Sequence, residues 1–388
     1  MIKFPYSKPE ITQLDIARVT SVMKRGYLTQ GEEIINFESE ISAKFNSKYT
    51  VVCNSGTAAL HLVYSALGLG PKRGLLTTPI TFLATANAAK MCNAEVVFCD
   101  VDPISGLMTA ETIEDALKNS KVKIKIITVV HLGGNLCNMK EVAIVAEKYN
   151  CVIVEDACHA PGALYNKGNP VGACKYGIAS TFSFHVIKHI AMGEEECITT
   201  NDKSLFNNVF TKRNHGIIRN KNFFKNTKEK NSKWYYEMQE LGWNYRADEM
   251  TCALGRSQLR RLEKNNKRRK LLIDLYHKYL VNLEYLDLPL KNALSYTQAW
   301  HLFAVKINFA EIGKNRSEVM QELENYGVGS QVHYIPLYLQ PFYREKNIQI
   351  YKGVNEYYKN TLSLPLYVQL KKSDILYISQ KIKNVLMK

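Results

Sequence analysis

The fold is decided between residues 49 and 68, which read YTVVCNSGTAALHLVYSALG. Here an apolar, β-branched strand runs into a turn of small residues and then into a helical pattern. The same alternation continues to about residue 200 through EVVFCDVD, IKIITVVH and CVIVEDA. Strands that alternate with helices are typical of a mostly parallel sheet flanked by helices. In such a sheet, ligands bind beyond the carboxyl ends of the strands.

The chain changes character after about residue 250. It continues with a long basic helix, a β-like stretch near 300–307, a helix near 315–326 and a closing helix whose expected N-cap is Ser373. We therefore predict a large domain over residues 1–250 and a smaller C-terminal α/β domain over residues 251–388.

The composition is that of an ordinary globular protein, with 388 residues, 46% of them hydrophobic, and a net charge of +15. No apolar run approaches the roughly 20 residues that span a bilayer, and the N-terminus MIKFPYSKPEITQLD lacks the apolar region of a signal peptide. We therefore expect a cytoplasmic protein with no membrane partner. The nine cysteines are spread along the chain without a CxxC pair, so we expect reduced thiols and predict no metal site.

Positive charge is concentrated in the segments 213–233 and 256–270. One interpretation of such segments is a nucleic-acid surface, and a non-catalytic basic binding protein is the corresponding alternative function. However, Met250, Leu254 and Leu262 repeat at helical spacing. We therefore interpret the second segment as the solvent face of an amphipathic helix and predict no nucleic-acid partner.

Two strand ends carry chemistry. NSGTAAL (54–60) places Gly56 and Thr57 at the start of a helix, where exposed N–H groups can bind a phosphate. VIVEDACHA (152–160) ends a strand at Asp156, whose carboxylate can there hold a protonated ring nitrogen. Each pattern also has an ordinary explanation, a capped turn in the first case and a helix-capping acid in the second.

A third segment, TFSFHVIKHI (181–190), contains Lys188 among apolar and aromatic residues. Burial disfavours the charged ammonium, and formation of an imine removes the charge. A lysine whose amine extends to solvent is the ordinary explanation. Taken together, a phosphate-binding turn, a strand-end acid and a buried lysine are the set required to hold pyridoxal 5'-phosphate.

With these segments in this order, the chain resembles the DegT/StrS-type sugar-nucleotide aminotransferases. The resemblance extends from about residue 4 to residue 366. It is carried by GYLTQG (26–31), NSGTAALH (54–61), TTPITFLATAN (77–87), VEDACHA (154–160), STFSFHVIK (180–188), GWNYRADEMTCALGRSQL (242–259) and VHYIPLYLQPFY (332–343). It implies a fold-type-I pyridoxal-phosphate transferase of the aspartate aminotransferase-like type.

The resemblance also implies roles for the matching residues. The catalytic residues would be Lys188, which forms the Schiff base, and Asp156, which pairs with the pyridine nitrogen. His159 would lie near the ring hydroxyl, and Phe82 would stack on the ring. The positions implied for the cofactor phosphate are Gly56, Thr57, Ser183 and, from the other subunit, Asn244. The expected assembly is therefore a homodimer with shared active sites.

A further set of positions is implied for the sugar nucleotide. It consists of Tyr6, Gly26, Tyr27, Leu28, Thr29, Gln331, Val332, His333 and Tyr334. Within the family, three segments are most similar to members that make a UDP-4-amino sugar for pseudaminic acid-type glycans. They are FPYSKP (4–9), GYLT (26–29) and VHYIP (332–336).

The implied reaction transfers an amino group from L-glutamate to the C4 ketone of a UDP-4-keto-6-deoxy-N-acetylhexosamine. The cofactor would alternate between pyridoxal 5'-phosphate and pyridoxamine 5'-phosphate. The alternative within the family is a different nucleotide keto sugar, of the perosamine or bacillosamine type.

The chain departs from the family pattern shortly after Lys188. Where the family reads Thr-Thr-Gly-Glu-Gly-Gly, this chain reads AMGEEE (191–196), so that Glu195 and Glu196 replace two glycines. If either position required a positive φ, the glutamate there would carry backbone strain.

Overall fold

The structure, a computed structural model, describes residues 2–226, 228–289, 296–344 and 351–387. Its α-helices are α1 (Gln13–Arg25), α2 (Glu32–Phe45), α3 (Gly56–Ala66), α4 (Leu83–Met91), α5 (Ala110–Asn119), α6 (Met139–Lys148), α7 (Lys203–Arg213), α8 (Glu249–Leu259), α9 (Leu262–Leu280), α10 (Arg316–Asn325), α11 (Lys352–Asn360) and α12 (Lys372–Leu386). Its strands are β1 (Tyr49–Cys53), β2 (Gly74–Thr77), β3 (Glu95–Phe98), β4 (Ile124–Val130), β5 (Val152–Asp156), β6 (Leu164–Tyr165), β7 (Asn169–Pro170), β8 (Ala179–Ser183), β9 (Glu196–Thr200), β10 (Ile217–Ile218), β11 (Glu237–Met238), β12 (Leu286–Asp287), β13 (Phe303–Ile307) and β14 (Thr361–Leu364).

Seven strands form the central sheet in the order β1-β9-β8-β5-β4-β2-β3. The neighbours from β3 to β8 pair in parallel, whereas β9 is antiparallel to both β8 and β1. β4 is buried at nearly every position, as expected for a strand that is covered on both faces. The prediction of a mostly parallel α/β sheet flanked by helices is confirmed.

The strand directions bring distant residues to one edge of this sheet. β5 ends at Asp156 and β8 ends at Ser183. The antiparallel β9 begins at the same edge, because Glu196 pairs with Ser183 on one side and with Cys53 on the other. This edge therefore collects side chains from four strands.

The second lobe is built on the three-stranded antiparallel sheet β12-β13-β14. The expected strand near 300–307 and the expected helix near 315–326 are confirmed as β13 and α10. The domain boundary at residue 250 stays a prediction. Leu262 packs in the core of the first lobe and Leu272 in that of the second, so the two cores meet along α9.

The expected N-cap of the closing helix is wrong. Lys371 is the N-cap residue, and Ser373 lies inside the first turn of α12. The carboxylate of Asp374 accepts a hydrogen bond from the N–H of Lys371 at 2.8 Å. This acid satisfies the free N–H at the helix start, so the serine is not needed there.

The basic segment 256–270 is only partly a solvent face. Arg256 forms ion pairs with Glu33 and Glu40, and the buried Arg269 donates a hydrogen bond to the carbonyl of Leu366 at 2.9 Å. The exposed bases are Arg260, Lys264, Lys267 and Lys270. The expectation of a wholly solvent-facing row is therefore wrong. Among the described residues, none of the helices combines the length and hydrophobicity that a membrane span requires.

A bidentate ion pair joins α1 to the segment between α8 and α9. Arg261 donates hydrogen bonds to both carboxylate oxygens of Asp15, at 3.0 and 2.8 Å, and Asp15 is completely buried. Burial alone would raise the pKa of Asp15, but hydrogen bonds from Arg261, Ser257 and Thr12 outweigh it and lower this pKa to about 2.

We predict that Arg261→Met lowers the free energy of unfolding at pH 7 by about 3 kcal/mol, because it leaves the Asp15 carboxylate buried without its partner. The pKa of Asp15 in the folded chain lies below the value of about 3.9 of an unfolded chain. The contribution of the pair is therefore present above about pH 4 and is lost as the pH falls toward 2. Urea unfolding at several pH values measures the difference between variant and wild type.

The matched control is Arg260→Met, which removes an exposed arginine 4.0 Å from Glu40. It is expected to change the free energy of unfolding by less than about 0.5 kcal/mol. Equal losses in the two variants would contradict this description of the pair.

Candidate active site

A cavity of about 550 Å³ opens at the carboxyl edge of the central sheet, between the two lobes. Most of the predicted site residues line it. These are Tyr6, Gly56, Thr57, Phe82, Asp156, His159, Ser183, Lys188, Gln331, Val332, His333 and Tyr334. The structure therefore brings together residues that lie more than 300 positions apart in the sequence.

The first wall of the cavity is the start of α3. Ser55 is the N-cap residue, and its hydroxyl accepts a hydrogen bond from the N–H of Ala58 at 3.2 Å. The N–H groups of Gly56 and Thr57 belong to the first turn, in which a helix offers no internal acceptor. This turn can bind an anion at the positive end of the helix dipole. Ser55 was not among the predicted site residues, although a serine before a helix is a recognisable N-cap signal.

Asp156 is held in a fixed orientation at the end of β5. One carboxylate oxygen accepts a hydrogen bond from the hydroxyl of Thr85 at 2.8 Å, and the other accepts one from the N–H of Cys158 at 3.3 Å. The Thr85 hydroxyl is also 2.8 Å from that of Thr81. The side chain is nearly buried, so water screens its negative charge little and its electrostatic interaction with neighbouring groups is strong. The role of Thr85 was missed, because the sequence does not show which face of α4 meets the cavity.

Lys188 is the only lysine among the residues that line the described cavity. Burial lowers the pKa of its amine, whereas Cys158, Asp156 and Glu196 act in the opposite direction. A lowered pKa increases the neutral fraction of the amine, which is the nucleophilic form.

His159 and Tyr334 connect the large lobe to the second lobe across the cavity. The Nδ1 atom of His159 accepts a hydrogen bond from the N–H of Gly133 at 3.1 Å. Burial and the nearby Lys188 lower the pKa of His159 well below its usual value, so the ring is neutral. Its Nε2 atom then carries the proton and donates to the hydroxyl of Tyr334 at 3.3 Å.

The chain around His333 is anchored to β14. The N–H of Gln331 donates to the carbonyl of Ser363 at 3.0 Å, and the N–H of Ser363 donates to the carbonyl of Gln331 at 2.8 Å. The Nδ1 atom of His333 lies 2.8 Å from the Ser363 hydroxyl, and burial lowers the pKa of His333 to about 3. The ring centroids of Tyr6 and His333 are 5.5 Å apart, so the N-terminal segment packs against the chain around His333.

Two predicted groups do not line the cavity of their own chain. Gly26 is the C-cap of α1 with φ 73°, Tyr27 is 71% exposed, and Thr29 bridges to Asp248. Leu28 is exposed as well. Asn244 is exposed, and its carbonyl accepts a hydrogen bond from the side chain of Asn54. The roles assigned to these five residues stay predictions.

The condition for backbone strain at the two replaced glycines, a positive φ, is not met. Gly193 has φ 124°, whereas Glu195 and Glu196 are absent from the positive-φ residues of the described chain. Glu196 instead lines the cavity and is completely buried. The departure from the family pattern therefore changes the chemistry of the site rather than its backbone.

Comparison with known proteins gives a consistent result. A model of the DegT/DnrJ/EryC1/StrS aminotransferase family matches residues 9–383. A UDP-4-amino-4,6-dideoxy-N-acetyl-beta-L-altrosamine transaminase of Campylobacter jejuni is 34% identical over 385 residues, which are 99% of this chain and 97% of that protein.

Solved structures show the same architecture. PseC of Helicobacter pylori, an aminotransferase involved in the biosynthesis of pseudoaminic acid, superposes with a TM-score of 0.90 at 26% identity and 99% coverage of both chains. Spr1654 of Streptococcus pneumoniae, solved in a PLP form, has a TM-score of 0.88 at 24% identity, with 99% of this chain and 98% of that chain covered.

We predict that Lys188 reacts with a trace acylating reagent at lower pH than the exposed lysines do. Its lowered pKa provides neutral amine below the range of about 10.4 in which an unperturbed lysine titrates. Competitive labelling at a series of pH values, followed by peptide mass spectrometry, gives the titration midpoint of each lysine. A midpoint for Lys188 at or above those of exposed lysines such as Lys203 would show that burial does not control this amine.

Proposed function

The chain belongs to the DegT/DnrJ/EryC1/StrS aminotransferase family and is a sugar-nucleotide aminotransferase. We propose that it transfers the amino group of L-glutamate to the C4 ketone of a UDP-4-keto-6-deoxy-N-acetylhexosamine. The product would be a UDP-4-amino sugar for pseudaminic acid-type glycans. The observation that carries the proposal is the placement of Asp156 and Lys188 in one cavity, in a chain 34% identical along nearly its whole length to a transaminase that makes such a sugar.

The alternative of a non-catalytic basic binding protein is wrong, because the family is one of enzymes. The structure supports the same conclusion, since Arg256, Arg261 and Arg269 are engaged within the chain. We propose a cytoplasmic enzyme with no nucleic-acid partner.

We propose pyridoxal 5'-phosphate as the cofactor. The donor set fits it: the start of α3 and Ser183 for the phosphate, Asp156 for the ring nitrogen, and Lys188 for the aldehyde. Phe82 is 59% exposed at the cavity and available to cover the ring. A structural neighbour that was solved in both PLP and PMP forms supports the choice. When bound, this cofactor supplies an electron sink for the carbon that loses its proton.

Each residue then has a separate task. Asp156, with its carboxylate oriented by Thr85, keeps a proton on the ring nitrogen. The neutral amine of Lys188 moves a proton from the Cα atom of glutamate, and later returns one to C4 of the sugar. His159 is neutral and donates a hydrogen bond to the hydroxyl of Tyr334 at the cavity. Because its pKa is low, His159 does not compete with Lys188 for the proton that is transferred.

The sugar nucleotide would lie against Tyr6 and the segment 331–334, which form the wall contributed by the N-terminus and the second lobe. Tyrosine, glutamine and histidine side chains give this wall hydrogen-bonding groups and flat rings, both of which suit a nucleotide sugar. The perosamine- and bacillosamine-type acceptors remain the alternatives that the substrate test compares.

We propose a homodimer in which Asn244 reaches the partner's cofactor phosphate and the segment 26–29 reaches the partner's sugar pocket. These residues are exposed and are not among those that line the described cavity of their own chain, which supports this arrangement. Exposed apolar side chains cluster in the nearby sequence and are expected to be covered by the partner. They are Phe223, Trp234, Tyr236, Met238 and Leu241.

We predict that the protein loaded with pyridoxal phosphate converts L-glutamate to 2-oxoglutarate in a single turnover and regains its visible absorption only after a suitable keto sugar is added. A panel of UDP-4-keto-6-deoxy-N-acetylhexosamine and perosamine- or bacillosamine-type keto sugars identifies the acceptor. Absence of 2-oxoglutarate would refute glutamate as the donor. Recovery with a different sugar alone would refute the proposed acceptor.

In this assay Lys188→Ala is expected to abolish turnover, because no other amine lines the described cavity to move the proton. Lys203→Ala is the matched control, since it removes an exposed lysine on α7 and should leave the rate unchanged. Multiple turnovers by the Lys188→Ala variant would refute the assigned role of this amine.

Shared active sites predict complementation between two defective variants. Asn244→Asp places a carboxylate against the partner's phosphate, and Lys188→Ala removes the amine. A hybrid dimer of the two variants contains one site with both native residues, so mixing after subunit exchange should restore about a quarter of the wild-type activity. If each site were built from one chain, the mixture would show no more activity than its components.

A further inference from the structure

Glu196 is a buried acid to which the mechanism gives no role. It is the first residue of β9, and none of its surface is exposed. Its Oε1 atom accepts a weak hydrogen bond from the thiol of Cys158 at 3.5 Å. Its Oε2 atom has no partner at normal hydrogen-bond geometry among the described residues, and the hydroxyl of Thr181, also without such a partner, lies near the carboxyl. A buried carboxyl oxygen without a partner is costly and needs an explanation.

The unpartnered oxygen is aimed at the start of α3. A Cβ atom built on Gly56 would clash with the Oε2 atom of Glu196, which shows that the carboxyl lies directly against this glycine. The N–H groups of Gly56 and Thr57 lie in this first turn of α3 and are the groups proposed to bind the cofactor phosphate. Glu196 therefore borders the phosphate site, at a position where the family has glycine.

The groups that surround Glu196 disfavour its ionised form. Burial and the charge of Asp156 on β5 raise the pKa of Glu196 to about 8, whereas Thr181, Cys158 and Lys188 act in the opposite direction. Two further titratable neighbours are Cys53 on β1 and Cys197 on β9, and burial raises the pKa of both thiols. Glu196 is therefore mainly a neutral acid near pH 7.

The two protonation states would treat a phosphate in opposite ways. An ionised carboxylate repels an adjacent phosphate, and both groups accept hydrogen bonds without donating. The neutral acid carries an O–H group that can donate to a phosphate oxygen, and a donor to an anion forms a strong hydrogen bond. The buried position of Glu196 and the carboxyl oxygen that faces the start of α3 favour the second case.

We propose that Glu196 binds the phosphate of the cofactor as a neutral carboxylic acid and donates a hydrogen bond to it, so that phosphate binding depends on a proton held at Glu196. This inference rests on the proposed function, because it takes pyridoxal 5'-phosphate as the cofactor. It assigns the selection of a phosphorylated ligand to a residue that departs from the usual family pattern, and it makes that selection dependent on pH.

The pH dependence follows from linkage between proton and phosphate. Below about pH 8 the acid already holds its proton, so phosphate affinity does not change with pH through this group. Above that pH, binding must take up one proton, and the affinity falls by up to about tenfold per pH unit.

The test compares pyridoxal phosphate with pyridoxal, which lacks the phosphate. Dissociation constants for both are measured by spectral titration of the full chain from about pH 6.5 to about pH 9.5, a range that spans the titration of Glu196. The dissociation constant of pyridoxal divided by that of pyridoxal phosphate isolates the phosphate contribution, because Lys188 and Asp156 contact both ligands in the same way. In the wild type the ratio should be constant below about pH 8 and then decline by up to about tenfold per unit.

Two variants at Glu196 and one control sharpen the test. Glu196→Gln keeps the shape and an N–H donor but does not titrate, so its ratio should stay near the wild-type value at pH 7 and remain flat above pH 8. Glu196→Gly restores the family residue and should also give a flat profile. Glu195→Gln removes the adjacent buried acid, whose Oε2 accepts from the N–H of Glu194 at 3.2 Å, and should retain the wild-type decline.

Each contrary result has a distinct meaning. A decline of equal slope in the wild type and Glu196→Gln would overturn the inference. A ratio that is higher in Glu196→Gln than in the wild type at all pH values would also overturn it, because it would show that Glu196 of the wild type is ionised and repels the phosphate. If the wild type binds neither aldehyde, the proposed function fails, and phosphorus NMR with inorganic phosphate then shows whether the anion still binds with a Glu196-dependent pH profile.

Discussion

The carboxylate of Asp156, held by the Thr85 hydroxyl at the end of β5, is the interaction on which the site depends. A nearly buried negative charge favours a positive partner, and it affects the protonation of neighbouring groups. It raises the pKa of Glu196 and opposes the lowering of the pKa of Lys188 by burial. A cofactor with a protonated ring nitrogen supplies the missing positive charge.

The fold delivers these groups by strand direction and by packing of the two lobes. The carboxyl ends of β5 and β8 and the beginning of β9 meet at one edge, next to the start of α3. The second lobe closes this edge with the segment 331–334, which is hydrogen-bonded to β14 and covered by Tyr6. Asp15 and Arg261 fix α1 against the boundary of the lobes, and α1 leads into the segment proposed to reach the partner.

Local patterns predicted the parallel sheet, and with it the positions of Gly56, Asp156 and Lys188, because each lies where a strand ends or shortly beyond it. They could not predict Glu196 as a site residue, since an antiparallel strand has the same apolar pattern as a parallel one. Arg256 was misread as solvent-facing because its partners in α2 lie more than 200 residues away. The proposed positions of Asn244 and Tyr27 at a partner's cavity depend on a second chain, which one sequence does not place.

The central claim is that the cavity amine of Lys188 holds the cofactor. Borohydride reduction of the protein loaded with pyridoxal phosphate, followed by peptide mass spectrometry, tests it most directly. The account predicts one phosphopyridoxyl group per chain on Lys188, and its loss when inorganic phosphate competes for the start of α3. A label on another lysine, a label spread over the exposed lysines, or the absence of any label would contradict it.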